Sequence, residues 1–117
     1  KPVRYEVSFP NLQPAERKPI KIQLDKNPFT YEADCAGILF NGFVKGPGKY
    51  VAELEMYVDG ELAESFKMPV SYRLRRLDVY WNFELKPGNH KFELRWLNPE
   101  EGTSIDVVDA VLYKKVK

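Results

Sequence analysis

Between residues 77 and 97, apolar and polar side chains alternate on both sides of a Pro-Gly turn. A period of two is that of a half-buried strand, and it is incompatible with an amphipathic helix over the same stretch. Leu77, Val79, Trp81, Phe83 and Leu85 share one face before Pro87-Gly88, and Phe92, Leu94 and Trp96 share one after it. A hairpin closed by Pro87-Gly88 would pair Phe83 with Phe92, Trp81 with Leu94 and Val79 with Trp96. On its other face it would pair Glu84 with Lys91 and Tyr80 with Arg95, with Pro and Gly in the central positions of a type II turn. A corner, at which the chain crosses from one sheet to another, fits the same pattern. Either arrangement puts Trp81 and Trp96 inward and leaves Tyr80 and Asn82 on the opposite face.

The rest of the chain reads as short strands divided by turn residues. Val3, Tyr5, Val7 and Phe9 alternate with polar residues in a first strand that Pro10 ends, and residues 11–18 read as a polar loop containing Pro14. Ile20, Ile22 and Leu24 form a second alternating run, followed by strands expected at 29–35, 36–44, 50–58, 62–68, 77–85, 90–97 and 105–113. The segment 36–44 is more continuously apolar, which fits a strand buried on both sides or one bulged at a glycine. At Asp59-Gly60 a two-residue turn would set Glu55 against Glu64 and Leu54 against Ser65, a clash of charge and of face. A three-residue loop with Gly60 in the left-handed region is therefore expected, pairing Leu54 with Phe66 and Glu53 with Lys67. So many short strands at this spacing predict an all-β, two-sheet antiparallel sandwich.

Composition narrows the function. With 117 residues the chain makes one domain, 1–117, large enough for a core without disulfides or metal. The formal net charge of +1 argues against a general nucleic-acid binder or a polybasic membrane-surface protein. No apolar run approaches the roughly 20 residues of a membrane span. A start at Lys1 rather than Met is what a mature or excised domain would show. Cys35 has no partner for an internal disulfide and is expected to be a small buried hydrophobe.

Four segments together carry a resemblance: Gly-Ile-Leu-Phe-Asn-Gly (37–42), Ala-Glu-Leu-Glu-Met-Tyr-Val-Asp-Gly (52–60), Leu-Lys-Pro-Gly-Asn-His (85–90) and Ile-Asp-Val-Val-Asp-Ala-Val-Leu-Tyr (105–113). Their order over residues 30–114 resembles the galactose-binding-domain-like jelly-roll family. Within it, the likeness is to accessory modules of secreted bacterial glycoside hydrolases, esterases and ADP-ribosylglycohydrolase-like proteins. The resemblance implies a jelly-roll sandwich, often carbohydrate-binding and sometimes only packed beside a catalytic domain. It favours the corner at Pro87-Gly88, and it leaves residues 1–28 as an added strand and linker.

The residues themselves argue against catalysis. Alternation puts Glu53, Glu55, Glu84 and Glu93 on solvated faces, whereas a glycosidase needs two carboxylates flanking a cleft. Asp106 and Asp109 are the one carboxylate pair in an apolar context, and they are expected to cap a loop or pair with an Arg. His90 is the sole histidine and has no second His or Cys at ligand spacing. No cofactor is expected, although a structural calcium held by loop carboxylates and carbonyls is compatible with the sequence. No phosphate loop or Gly-x-Ser-x-Gly motif occurs.

Binding is the better reading. Sugars are held by aromatic rings and by planar polar groups that hydrogen-bond hydroxyls. Tyr72, Arg75, Arg76, Tyr80 and Asn82 supply both, and are the candidate ligand-binding set; Tyr50 and Tyr57 are weaker candidates. Arg73, Arg75 and Arg76 would equally serve to pair with Glu53 and Glu55 or to dock a neighbouring domain. The expected protein is a non-enzymatic accessory module, periplasmic, secreted or on a bacterial cell surface. Its partner would be a glycan or a neighbouring catalytic domain, without nucleic acid or membrane insertion.

Overall fold

In the computed structural model, residues 12–70 and 77–116 are described. Eight strands are formed: β1 Leu12–Gln23, β2 Phe29–Cys35, β3 Gly37–Lys45, β4 Val51–Val58, β5 Glu61–Pro69, β6 Leu77–Asn82, β7 Gly88–Trp96 and β8 Ser104–Lys115. They make two four-stranded antiparallel sheets, sheet A in the order β1-β8-β3-β6 and sheet B in the order β2-β7-β4-β5. The chain changes sheet at every connection except the β4–β5 hairpin, so the two sheets are laced together along the chain. The expected two-sheet antiparallel sandwich is what the protein adopts. The strand expected at residues 3–9 and the candidates Tyr72, Arg73, Arg75 and Arg76 lie outside the described residues.

The core lies between the sheets. Ile38, Phe40 and Val44 of β3 and Ile105, Val107, Ala110 and Leu112 of β8 face Ala52, Leu54 and Met56 of β4 and Phe92, Leu94 and Trp96 of β7. These residues alternate with outward positions, as a sheet with one buried face requires. Phe40 meets Phe92 edge-on, with ring centroids 5.7 Å apart, and so joins the two sheets at the centre. At one end of the core the Trp96 indole N–H donates to the Tyr50 hydroxyl (2.8 Å), which donates to the Asn98 carbonyl (2.7 Å). Tyr50 therefore closes the sandwich and is 7 % exposed, which rules out its ring as a surface platform. Cys35 is the buried hydrophobe expected, and burial pushes its thiol up to about 11.

Three local expectations are revised, and one alternative that the sequence left open is decided. Residues 12–18 are not loop: charge and proline content disguised the first half of β1, which pairs with β8 from Leu12 to Gln23 and is bulged between Pro14 and Glu16 and between Pro19 and Ile22. The corner, not the hairpin, is formed at Pro87-Gly88, because β6 pairs with β3 in sheet A while β7 pairs with β2 and β4 in sheet B. At Asp59-Gly60 the expected partners Leu54–Phe66 and Glu53–Lys67 are found. The loop itself is a two-residue turn with Asp59 at φ 52° and Gly60 at φ 86°, and the extra residue is a bulge at Ala63.

The last revision matters most for function. Asp78 pairs with Asn41 but Tyr80 pairs with Phe40, so Val79 is an extra residue in β6. Beyond a bulge, side chains exchange faces. Val79 and Tyr80 are consequently both buried, at 3 % and 2 % exposure, and Trp81 turns outward beside Leu39. Trp96 is inward as expected; Trp81 is not.

Candidate functional site

Antiparallel register lays the outward side chains of sheet A in rows. Phe83 packs against Gly37 and meets the Tyr113 ring edge-on at 4.9 Å between centroids. The next row, from cross-strand partners, is Trp81, Leu39, Val111 and Arg17. Below it stand Asp78, Asn41, Asp109 and Pro19, and then Phe43 beside Asp106 and Gln23. Trp81, Leu39, Phe83, Tyr113 and Phe43 are half-buried. This outward face is thus aromatic at its top, polar across its middle and mixed at its foot.

The middle row is held by charge. The Arg17 guanidinium donates to Asp109 Oδ2 at 2.9 Å, and the Asn41 amide donates to Asp109 Oδ1 at 2.8 Å. Asp109 and Asn41 are buried, whereas the Arg17 side chain is 59 % exposed. The expectation that a carboxylate of this strand pairs with an Arg holds for Asp109. A guanidinium has five N–H donors in a fixed plane, so Arg17 can bind Asp109 and still present donors to solvent at the β1 edge of the face, across β8 and β3 from Trp81.

At the foot of the face, β1 and β8 are both bulged, and a cleft of about 310 Å³ opens between them, lined by Lys21, Ile22, Gln23, Asp106, Val107 and Val108. Lys21 takes the left-handed conformation there, with φ 57°, which costs energy for a residue other than glycine. Asp106 Oδ2 stands 3.8 Å from Lys45 Nζ, and Oδ1 is buried with no hydrogen-bond partner among the described residues. Lys45 also lies over the Phe43 ring at 5.2 Å. Gly42 is obligatory nearby, since a Cβ on it would stand 2.1 Å from the Asp106 carbonyl oxygen. Among the described residues no group of three or more His, Cys, Asp or Glu is placed to hold a metal ion.

The structure separates the residues that the sequence grouped. Tyr80 is the clear correction: its ring is in the core against Phe66, at 6.4 Å between centroids, and burial raises its phenol pKa. It offers no face to a ligand. Asn82 donates from its amide to the Tyr80 hydroxyl (3.1 Å) and accepts from the Glu84 backbone N–H (3.0 Å), so it fastens the end of β6. Tyr72, Arg75 and Arg76 lie outside the described residues. Tyr57, on the outer face of sheet B, is covered by the Arg95 guanidinium at 4.3 Å and donates to Glu55 (3.1 Å). Arg17 and Asn41 were missed because one sat in an apparent loop and the other in an apolar run. Their only sequence signal was the need of a buried Asp109 for donors.

No protein-family model matches the chain, and no curated protein matches it. Solved structures do. The chain superposes on an acetyl xylan esterase from the rumen bacterium Butyrivibrio proteoclasticus with TM-score 0.56 and 8 % identity, over 96 % of this chain and 32 % of that one. It superposes on a cycloisomaltooligosaccharide glucanotransferase of a Paenibacillus species, complexed with cycloisomaltoheptaose, with TM-score 0.53 and 13 % identity, over 92 % of this chain and 19 % of the enzyme. The chain thus spans a third or less of these two proteins. The CBM36-1 domain of a multidomain xylanase from the hindgut metagenome of Trinervitermes trinervoides matches with TM-score 0.52 and 14 % identity, over 91 % of this chain and 92 % of that domain. At such identities the likeness is one of fold, and the fold is a β-sandwich like that of a carbohydrate-binding module.

Proposed function

We propose that the protein is a non-catalytic carbohydrate-binding module that takes glycans on the outward face of sheet A. The observation that carries this reading is the outward turn of Trp81, which sets a half-buried indole in one row with Leu39, Val111 and Arg17. An indole stacks on the apolar face of a pyranose, and at the other edge of the sheet the Arg17 guanidinium donates to hydroxyls further along the same glycan. Phe83 and Tyr113 extend the platform on one side. On the other, the cleft at Lys21, Gln23 and Asp106 offers an ammonium, an amide and a carboxylate to a second sugar unit. Tyr72, Arg75 and Arg76, which immediately precede β6 in sequence, belong to the same proposal, while Asn82 positions β6.

The fold shared with a domain of a multidomain xylanase, over nearly the whole of both chains, supports an accessory role beside a hydrolase in a secreted bacterial protein. A module of this kind works by raising the local concentration of polysaccharide at its catalytic partner, for which weak and reversible binding is sufficient.

Affinity electrophoresis through gels containing neutral polysaccharides such as xylan and glucan tests the reading. The wild-type protein should be retarded by at least one of them, Trp81→Ala should abolish the retardation, and Arg95→Ala on sheet B should leave it intact. Absence of wild-type retardation in every gel would sink glycan binding. One observation favours a second reading: Val111, Asn41 and Asp109, though on an outward face, are 5–9 % exposed. A face so closed also suits docking on a catalytic domain without any sugar.

A further inference from the structure

His90, the single histidine of the chain, is gripped from both ends of its ring. Its Nδ1 lies 2.6 Å from Asp59 Oδ2, in the β4–β5 turn, and its Nε2 lies 2.5 Å from the Lys86 carbonyl oxygen, in the corner between β6 and β7. A carboxylate and a carbonyl are acceptors only. A neutral imidazole has one N–H and can satisfy one of them, leaving the other nitrogen lone pair facing an oxygen. The imidazolium satisfies both. The side chain is 12 % exposed, so water is a poor substitute for the missing donor.

The clamp also involves the backbone. Asp59 accepts the Lys91 backbone N–H through Oδ1 (2.9 Å), and its own N–H donates to the Lys91 carbonyl (2.8 Å). Asp59 holds φ 52°, in the left-handed region, to reach both groups. The corner in turn carries Phe83 at one end and docks on β2–β3 through the Leu85 N–H to the Ala36 carbonyl (3.2 Å). We propose that His90 is a protonation-controlled latch between the β4–β5 turn and the β6–β7 corner, closed as the imidazolium and released as the neutral ring.

The groups around the ring agree with this. Asp59 faces it from the β4–β5 turn, and Asp34 adds negative charge from β2, itself 3.6 Å from Lys114 of β8. Lys86 meets it through a backbone carbonyl and Lys91 reaches Asp59 through a backbone N–H. Phe92 packs beside it at 6.4 Å between centroids, and the Cys35 thiol feels Asp59 but stays protonated. Burial by itself lowers the His90 pKa. The hydrogen bonds to Asp59 and the Lys86 carbonyl, with the charges of Asp59 and Asp34, outweigh it and raise the value above 6.5. Asp59 moves the other way, held below 3.8 chiefly by its hydrogen bond to His90.

The sign follows from linkage. A raised histidine pKa stabilises the fold fully below 6.5, and that contribution is lost as pH rises through the higher folded value. The lowered Asp59 value contributes above 3.8 and is lost as pH falls through its folded value. The latch is thus closed below the unperturbed histidine value and opens as pH rises through the raised folded value.

Backbone amide exchange of the full chain across pH 5.5–8.5, corrected for intrinsic base catalysis, tests the latch together with an NMR titration of the His90 ring. The wild type should titrate above 6.5 and show the Asp59 and Lys91 amides losing protection by about tenfold for each unit of His90 pKa shift. His90→Gln should give protection that does not vary with pH, and Asp59→Asn should bring the His90 midpoint down. Identical pH profiles for wild type and His90→Gln, or a ring already neutral at pH 6, would overturn the proposal.

Discussion

The outward faces of the two sheets each carry an arginine–carboxylate pair, in opposite settings. On sheet A, Arg17 meets Asp109 at 2.9 Å, and the carboxylate side chain is 6 % exposed and shared with Asn41. On sheet B, Arg95 meets Glu93 at 2.6 Å, with exposures of 45 % and 24 %, among exposed Glu32, Glu53, Lys67 and Lys91. The shorter contact is the weaker support. Solvent screens the sheet B pair and competes for both partners, whereas Asp109 has given up water and depends on its donors. Sheet B presents a solvated surface. Sheet A presents aromatic rings over a desolvated carboxylate, and it is the face on which we propose that glycans bind.

The comparison can be broken by substitution. The largest expected effect is in the core behind sheet A: Tyr80→Ala should destabilise by about 3–5 kcal/mol in denaturant unfolding, as for other buried aromatics. A loss below about 1 kcal/mol would put the ring outside and restore the sequence-based parity. Asp109→Ala should cost about 2–3 kcal/mol, because it strands the buried Asn41 amide, and added salt should barely alter that loss. Trp81→Ala should cost less, about 1–2 kcal/mol by the area that a half-buried indole loses, while removing polysaccharide retention altogether. Glu93→Ala should cost under about 1 kcal/mol, and this small difference should shrink further at high ionic strength. If Glu93→Ala and Asp109→Ala proved equally costly, the contrast between the faces would fail.

Much of the sandwich was readable along the chain. Strands β2 to β8 fall close to the alternating runs, since one buried face per sheet imposes a period of two. The pairing Leu54–Phe66 followed from matching faces and charges alone. The binding face was not readable in the same way. One inserted residue, Val79, reverses the faces of Tyr80 and Trp81, and valine followed by tyrosine suits either face, because tyrosine joins an apolar ring to a polar tip. Placement of Arg17 depended on β1 pairing with β8 some 92 residues away. No local pattern encodes such a contact.

The alternation around Pro87-Gly88, together with the short alternating runs along the rest of the chain, therefore determined, without help from the structure, that the protein is an all-β sandwich whose core includes Trp96, Leu94 and Phe92. Turn chemistry likewise determined that Asp59-Gly60 reverses the chain. Whether the Pro-Gly segment closed a hairpin or crossed between sheets was decided only in three dimensions, as was the face on which Trp81 emerges. The reason is physical: periodicity reports that a side chain is buried or solvated within its own strand, but a bulge or a corner is chosen by the packing of distant strands against one another. The same holds for His90, which sits in an ordinary turn sequence and becomes a latch only because the fold brings Asp59 and Lys86 to either end of its ring.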